Sequence, residues 1–194
     1  MFSLAANISI SRAETTATTE ADFGLQRLMA ELARVSSASA QFTERKTMQV
    51  LTAPMLASGT LTYSAPDRMQ KTTLSPMVEQ FVLDREEVSI TGGPHNQTER
   101  YTLAKAPQVA GLVEGIRATL AGDLATLEGY YGVQLTGINS AWQLNLRPRS
   151  AVSAHFVRLI SILGNKDRIR EIDTESPNGD HSEMMISENV MYAN

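Results

Sequence analysis

Through much of this chain every second residue is apolar, and the alternation breaks at short turns of Pro, Gly, Asn and Asp. In "SGTLTYS", residues 58–64, Gly59, Leu61 and Tyr63 alternate with Ser58, Thr60, Thr62 and Ser64. That is the period of a half-buried strand. Ala65-Pro66-Asp67-Arg68 then turns the chain, because Pro fixes φ and Asp hydrogen-bonds its own backbone. A second polar strand follows and closes at Ser75-Pro76. Upstream, the stretch from Ser39 to Val50 predicts a long strand with Phe42, Met48 and Val50 on one side. Downstream, Met77 to Leu83 and Val88 to Ile90 predict a hairpin across the charged turn Asp84-Arg85-Glu86-Glu87, and Thr98 to Leu103 a short strand after the loop "TGGPHNQ".

Two stretches change the period. Leu25, Leu28, Met29 and Leu32 share one helical face, with Thr19 as candidate cap and Glu20 and Asp22 near the positive end. Pro107 suits a first helical turn, and Val109, Leu112, Val113, Ile116 and Leu120 then form an apolar stripe. "GDLATLEG" adds a further helical turn or two. Alternation resumes at Tyr131, Val133 and Leu135 and at Trp142, Leu144 and Leu146, and Pro148 ends that pair. "HFVRLISILGN" is apolar on both faces; its β-branched residues and the Gly164-Asn165 stop favour a doubly buried strand over a helix. Ile169 to Glu175 and Ser182 to Ser187 predict a last hairpin across Asn178-Gly179. The sum is an α+β protein of about ten antiparallel strands and two or three helices.

Composition narrows the class. The chain has 194 residues, 42% hydrophobic and 20% charged, which fits one globular domain with a substantial core. A net charge of −4 with scattered Lys and Arg gives no field for a phosphate backbone, so no nucleic-acid partner is expected. Absence of cysteine removes disulfides, thiolate metal sites and Cys nucleophiles. "MFSLAANISISRA" has an apolar stretch and small residues at Ser11 and Ala13 but no basic residue before Arg12. Residues 1–21 therefore read as the end of an export signal that starts further upstream, or as a disordered tail; residues 22–194 read as one domain.

Catalytic chemistry has no foothold in the pattern. His95, His155 and His181 lack metal-ligand spacing, Gly92-Gly93 precedes no lysine-serine pair, and no nucleophile elbow occurs. Glu86-Glu87 reads as a solvated turn, and Asn96-Gln97-Thr98 is a glycosylation triplet of a kind common by chance. No enzyme activity, metal or cofactor is expected. What remains is apolar surface: Leu61, Tyr63, Met69, Phe81 and the stripe at 109–120 either pack together as a core or wall a binding surface.

The order of features supplies a further expectation. A Phe-x-x-x-Lys/Arg-type strand begins at Phe42, "S-G-x-L-x-Y" runs from Ser58 to Tyr63, and Pro66 sits in the hairpin turn. Pro76 stands before the fourth strand, Val82 to Asp84 form a turn, a helical segment lies near 107–128, and "WQLNLRP" occupies 142–148. In this order, over about residues 22–190, the chain resembles the LolA-like family of periplasmic outer-membrane lipoprotein carriers. The resemblance implies a curved antiparallel sheet, a half-open barrel, with a helical lid over its concave face. It implies acyl chains held at Leu61, Tyr63, Met69, Phe81, Val109, Leu112, Val113, Ile116, Leu120 and Trp142. It also implies a monomeric periplasmic carrier moving a lipoprotein or other lipid cargo from an inner-membrane exporter to an outer-membrane acceptor. The arginine that precedes the hairpin proline in better-known carriers is Ala65 here, with Arg68 as a candidate replacement. Two other functions stay open: an envelope sensor that binds lipidated proteins, and an enzyme that holds a hydrophobic substrate in the cavity.

Overall fold

The computed structural model describes residues 23–92 and 97–187. Thr19, Glu20 and Asp22, the reading of residues 1–21, His95 and Asn96 lie outside the described residues. Eleven strands form one antiparallel sheet there: β1 (Ser37–Thr47), β2 (Met55–Ser64), β3 (Arg68–Ser75), β4 (Glu79–Asp84), β5 (Glu87–Gly92), β6 (Gln97–Thr102), β7 (Tyr131–Ile138), β8 (Ala141–Pro148), β9 (Leu159–Asn165), β10 (Arg168–Glu175) and β11 (His181–Ser187). Their spatial order is β6-β5-β4-β3-β2-β1-β11-β10-β9-β8-β7. The first and last of these do not pair, so the sheet curves without closing. Two meanders, β1–β6 and β7–β11, thus meet at one seam, where β1 and β11 pair from Gln41 with Ser187 to Thr47 with His181.

Alternation decides what each wing turns inward. Along β1, Ala38, Ala40, Phe42, Glu44 and Lys46 share one face, and the register carries that face sideways. Ala38 stands opposite Tyr63, which meets Met69, which meets Leu83; one step along, Ala40, Leu61, Lys71 and Phe81 form the next row. Gly59 lies opposite Phe42 at a bulge, and a Cβ there would stand 1.9 Å from the Thr72 carbonyl oxygen. Only glycine lets the neighbouring backbone approach that closely. The glycine of the "S-G-x-L-x-Y" run is therefore a packing requirement.

The helices sit on the concave side. Helix α1 (Leu25–Leu32) is too short to persist alone and is held by Leu28, Met29 and Leu32, each almost fully buried. Gly24 precedes it in extended conformation. Helix α2 (Pro107–Leu120) follows a single 3-10 turn at Leu103–Lys105 and has Pro at its first position, where a missing N–H costs nothing. Helix α3 (Leu124–Tyr130) is capped by Asp123, whose carboxylate accepts the Thr126 N–H at 3.0 Å. A fourth helical turn, α4 (Ala151–Ala154), lies between β8 and β9 and has no counterpart in the sequence reading. The main core joins Leu28, Leu127, Tyr131, Leu144, Ile160 and Ile162 under the β7–β10 wing, and a smaller cluster joins Leu83, Val88, Leu103 and Val113 in the other.

One expectation is corrected, and one ambiguous stretch takes the form the sequence favours. Strand β1 ends at Thr47, so Met48 and Val50 leave the sheet instead of continuing its apolar side. The Asp180 carboxylate accepts the Gln49 backbone N–H at 2.8 Å and Leu51 N–H bonds back to Met48, which turns the chain and leaves Val50 83% exposed. "HFVRLISILGN" supplies a strand, β9, with Ile160, Ser161 and Ile162 all buried.

Candidate functional site

Helix α2 has two different long faces. Gly111, Gly115 and Ala118 form a back of small residues, and a Cβ on Gly115 would already crowd Ile160 and Tyr131 at 3.2 Å. This lets the helix sit down against β7 and β9, where the Tyr131 hydroxyl donates to the Gly111 carbonyl. Burial and the nearby Glu114 push the Tyr131 phenol far above its ordinary value, so it stays a donor. The front of α2 carries Val109, Leu112, Val113, Ile116 and Leu120 and looks across open space to the sheet.

That space is a cavity of about 600 Å³. Val109, Leu112, Val113, Ile116 and Leu120 wall it from the helix; Leu61, Tyr63, Met69 and Phe81 wall it from β2, β3 and β4. Ile172, Met184 and Ile186 extend the apolar wall over β10 and β11, which the sequence reading missed. Nine of the ten sequence-derived positions thus come together. Trp142 does not join them. Its ring lies on the cross-strand Gly164, its indole N–H donates to the Lys166 carbonyl at 2.8 Å, and it is buried in the main core. Alternation along β8 put it on the inner face correctly, but α1 and α3 cover that part of the sheet.

The cavity wall also carries charge. Glu44 points inward from β1 with 5% exposure. Its Oε2 accepts from Lys71 Nζ at 2.5 Å; its Oε1 accepts from Ser182 Oγ at 2.7 Å and lies 3.3 Å from Lys46 Nζ. Lys71 Nζ also stands 4.8 Å from the centre of the Phe42 ring. Burial pushes the Glu44 carboxyl up, but Lys71, the Ser182 hydroxyl and Lys46 together bring it below its ordinary value. Burial, with the Lys46 charge beside it, leaves the Lys71 ammonium below its ordinary value although Glu44 raises it. The signal for this group was present in the sequence: Glu44 and Lys46 share the parity of Phe42, so charge stands on an apolar face. Tyr63 adds a polar atom elsewhere in the wall. It is 4% exposed, its hydroxyl has no hydrogen-bond partner, and burial raises its phenol above the ordinary value.

Arg68 does not replace the missing arginine as a lid contact. Its guanidinium donates to Asp84 Oδ2 at 2.6 Å, between exposed side chains on β3 and β4. Arg117 of α2 turns back to its own helix and holds Glu114 Oε2 at 2.6 Å. The Tyr131 hydroxyl, donating to the Gly111 carbonyl, ties α2 to the sheet. Among the described residues no group of three or more His, Asp or Glu side chains is placed to hold a metal ion, and no helix is long and apolar enough to cross a membrane.

The fold is an open antiparallel half-barrel with a largely apolar cavity between the sheet and α2. The family described as "outer membrane lipoprotein carrier protein LolA-like" matches residues 13–193, and the chain belongs to it. Solved structures are similar to this chain only at low identity and with TM-scores below 0.5. A LolA superfamily protein from Nitrosomonas europaea is 11% identical with a TM-score of 0.46, covering 89% of this chain and 94% of that one. A putative outer membrane lipoprotein-sorting protein domain from Vibrio parahaemolyticus is 9% identical with a TM-score of 0.47, covering 88% and 92%. MucB in the Pseudomonas aeruginosa MucA/MucB complex is 16% identical with a TM-score of 0.48, covering 88% of this chain and 58% of MucB. No curated protein sequence matches.

Proposed function

We propose that this protein is a periplasmic carrier that shields the acyl part of a lipid or lipidated protein between the sheet and α2, and moves it from an inner-membrane exporter to an outer-membrane acceptor. One observation carries the reading: both walls of a cavity of about 600 Å³ are apolar, yet Leu61, Val109, Leu112, Ile116 and Leu120 do not close on one another. Pockets that enclose small apolar ligands span about 300–1,000 Å³. Each methylene taken out of water contributes about 0.8 kcal/mol, so an acyl chain is held by area alone and no reacting group is needed. Membership of the LolA-like family supports the transport role. The test is a titration of the purified protein with a fluorescent fatty-acyl probe. Saturable binding, displaced by unlabelled long-chain amphiphile, is the expected result; absence of saturable binding overturns the proposal.

A second reading, a module that docks other proteins, is favoured by exposed apolar side chains on two neighbouring loops. Val50 and Leu56 flank the β1–β2 turn, and Leu74, Met77 and Val78 flank the β3–β4 turn beside it. A complex that forms equally well with the cavity filled or empty would favour docking over carriage.

A further inference from the structure

We propose that the charged group in the cavity wall, Glu44 with Lys46, Lys71 and Ser182, binds the anionic end of an acyl amphiphile, so that the cavity selects a ligand carrying a carboxylate or phosphate head. The inference rests on the acyl-binding reading and adds the chemistry of the head.

Hydrogen-bond capacity gives the sign. Both oxygens of Glu44 are engaged, one by Lys71 and the other by Ser182 and Lys46. Each ammonium has three N–H donors, and each spends one on Glu44. What the group has left is donor capacity and, with two ammoniums against one carboxylate, one unit of positive charge. A ligand that supplies acceptors and negative charge meets it; a cationic head does not. Position agrees with this. Lys71 stands in the same cross-strand row as Leu61 and Phe81, directly beside the apolar wall. Lys46 is nearly half exposed and lines the same cavity. The structure places other charged side chains around the same cavity. Asp180 is already committed to the Gln49 N–H and to the Asn178 amide. Glu79 is exposed on β4, Asp167 lies 3.9 Å from Arg168, and His181 lies on β11. None of these three hydrogen-bonds or ion-pairs with Lys46 or Lys71, although the Glu79 charge acts on Lys71 from a distance.

Three ligands of one chain length test the proposal in competition with a fluorescent fatty-acyl probe at pH 7: a fatty acid, its methyl ester and the monoalkyl phosphate. The acid should bind roughly tenfold more tightly than the ester, the scale of one charge-assisted hydrogen bond. Lys46→Gln, at a position exposed enough to leave the fold intact, should remove most of that preference. The neutral double variant Glu44→Gln/Lys71→Gln, with thermal unfolding recorded on the same sample, should remove the rest, so that acid and ester bind it equally. A phosphate that outcompetes the acid assigns the site to a phosphate head, and the reverse order to a carboxylate. Equal binding of acid and ester overturns the head-group proposal and leaves acyl binding standing. A preference that survives both variants overturns it as well. Failure of all three ligands to displace the probe, or of the probe to bind, overturns the acyl reading itself.

Discussion

The two wings of this sheet face the same set of helices and end differently. Under β7–β10 the concave face is filled: Leu28 and Leu32 of α1, Leu127 of α3, Trp142, Leu144, Ile160 and Ile162 pack into one cluster, each almost without exposure. Under β1–β4 it is not. There Leu61, Met69, Lys71 and Phe81 line a cavity that α2 only partly fills, with Val113 of α2 packing beside Leu83 and Val88 along its edge. The difference comes from what each wing is given to cover it. Helices α1 and α3 fill one side, whereas only the front of α2 reaches toward the other. An apolar stripe on a helix is thus not by itself a core, since the same helix supplies Ala118 to the packed side and Leu120 to the open one.

Substitutions can break that contrast, and the largest effect lies on the packed side. Trp142→Ala should destabilise by about 3–5 kcal/mol, because a large side chain is removed from a site that cannot collapse. Its denaturant midpoint should fall sharply while fatty-acyl probe affinity of the folded fraction is unchanged; a large loss of affinity would put Trp142 back in the binding surface. Glu44→Gln comes next, at about 2–3 kcal/mol near pH 7, since it leaves Lys71 and Lys46 without their counter-charge. The sign of its pH dependence follows from the carboxyl being held below its ordinary 4.5. The native pair contributes fully above that value, and its contribution is lost as pH falls below it. Midpoints of parent and variant measured from pH 7 to pH 3 should therefore converge at the acid end. Parallel curves across that range would mean that Glu44 is not ionised in the fold.

Val113→Asn and Leu61→Asn sharpen the boundary itself, because both residues line the cavity but only Val113 also belongs to a packed cluster. Val113→Asn should cost about 1–3 kcal/mol, the penalty of a buried polar group without a partner. Leu61→Asn should cost less than about 1 kcal/mol, because water reaches the empty cavity. In Leu61→Asn the loss appears instead in probe affinity, about tenfold for one side chain's worth of apolar wall. Equal destabilisation by the two changes would mean that no such boundary exists and that this face is closed packing.

Much of this architecture was legible because antiparallel meanders are local. Each hairpin announces itself by period-two alternation and a turn, as at Pro66 and Asn178-Gly179, and α2 by Pro107 and its stripe. The failures occur where distant residues decide. Strand β1 stops at Thr47 because Asp180, far along the chain, takes the Gln49 N–H. Trp142 and Leu61 have the same pattern in sequence, and only the placement of α1 and α3 makes one core and the other cavity. Helix α4 has four residues, too few to show a period. The charged group in the wall needed β1, β3 and β11 aligned in register before Glu44, Lys71 and Ser182 could be seen as neighbours.

The seam between β1 and β11 has a consequence for how the protein comes to exist. Each wing is built from neighbouring strands and can form from contacts close in sequence, which are the fast ones. The seam joins residues 138 apart, Glu44 and Ser182, so its loop-closure entropy is met only when the two wings dock. The cavity straddles that seam, with Leu61 and Phe81 from one wing and Ile172 and Met184 from the other. Either wing alone therefore displays apolar side chains with nothing to enclose them. The cavity is complete only once the last strand pairs with the first.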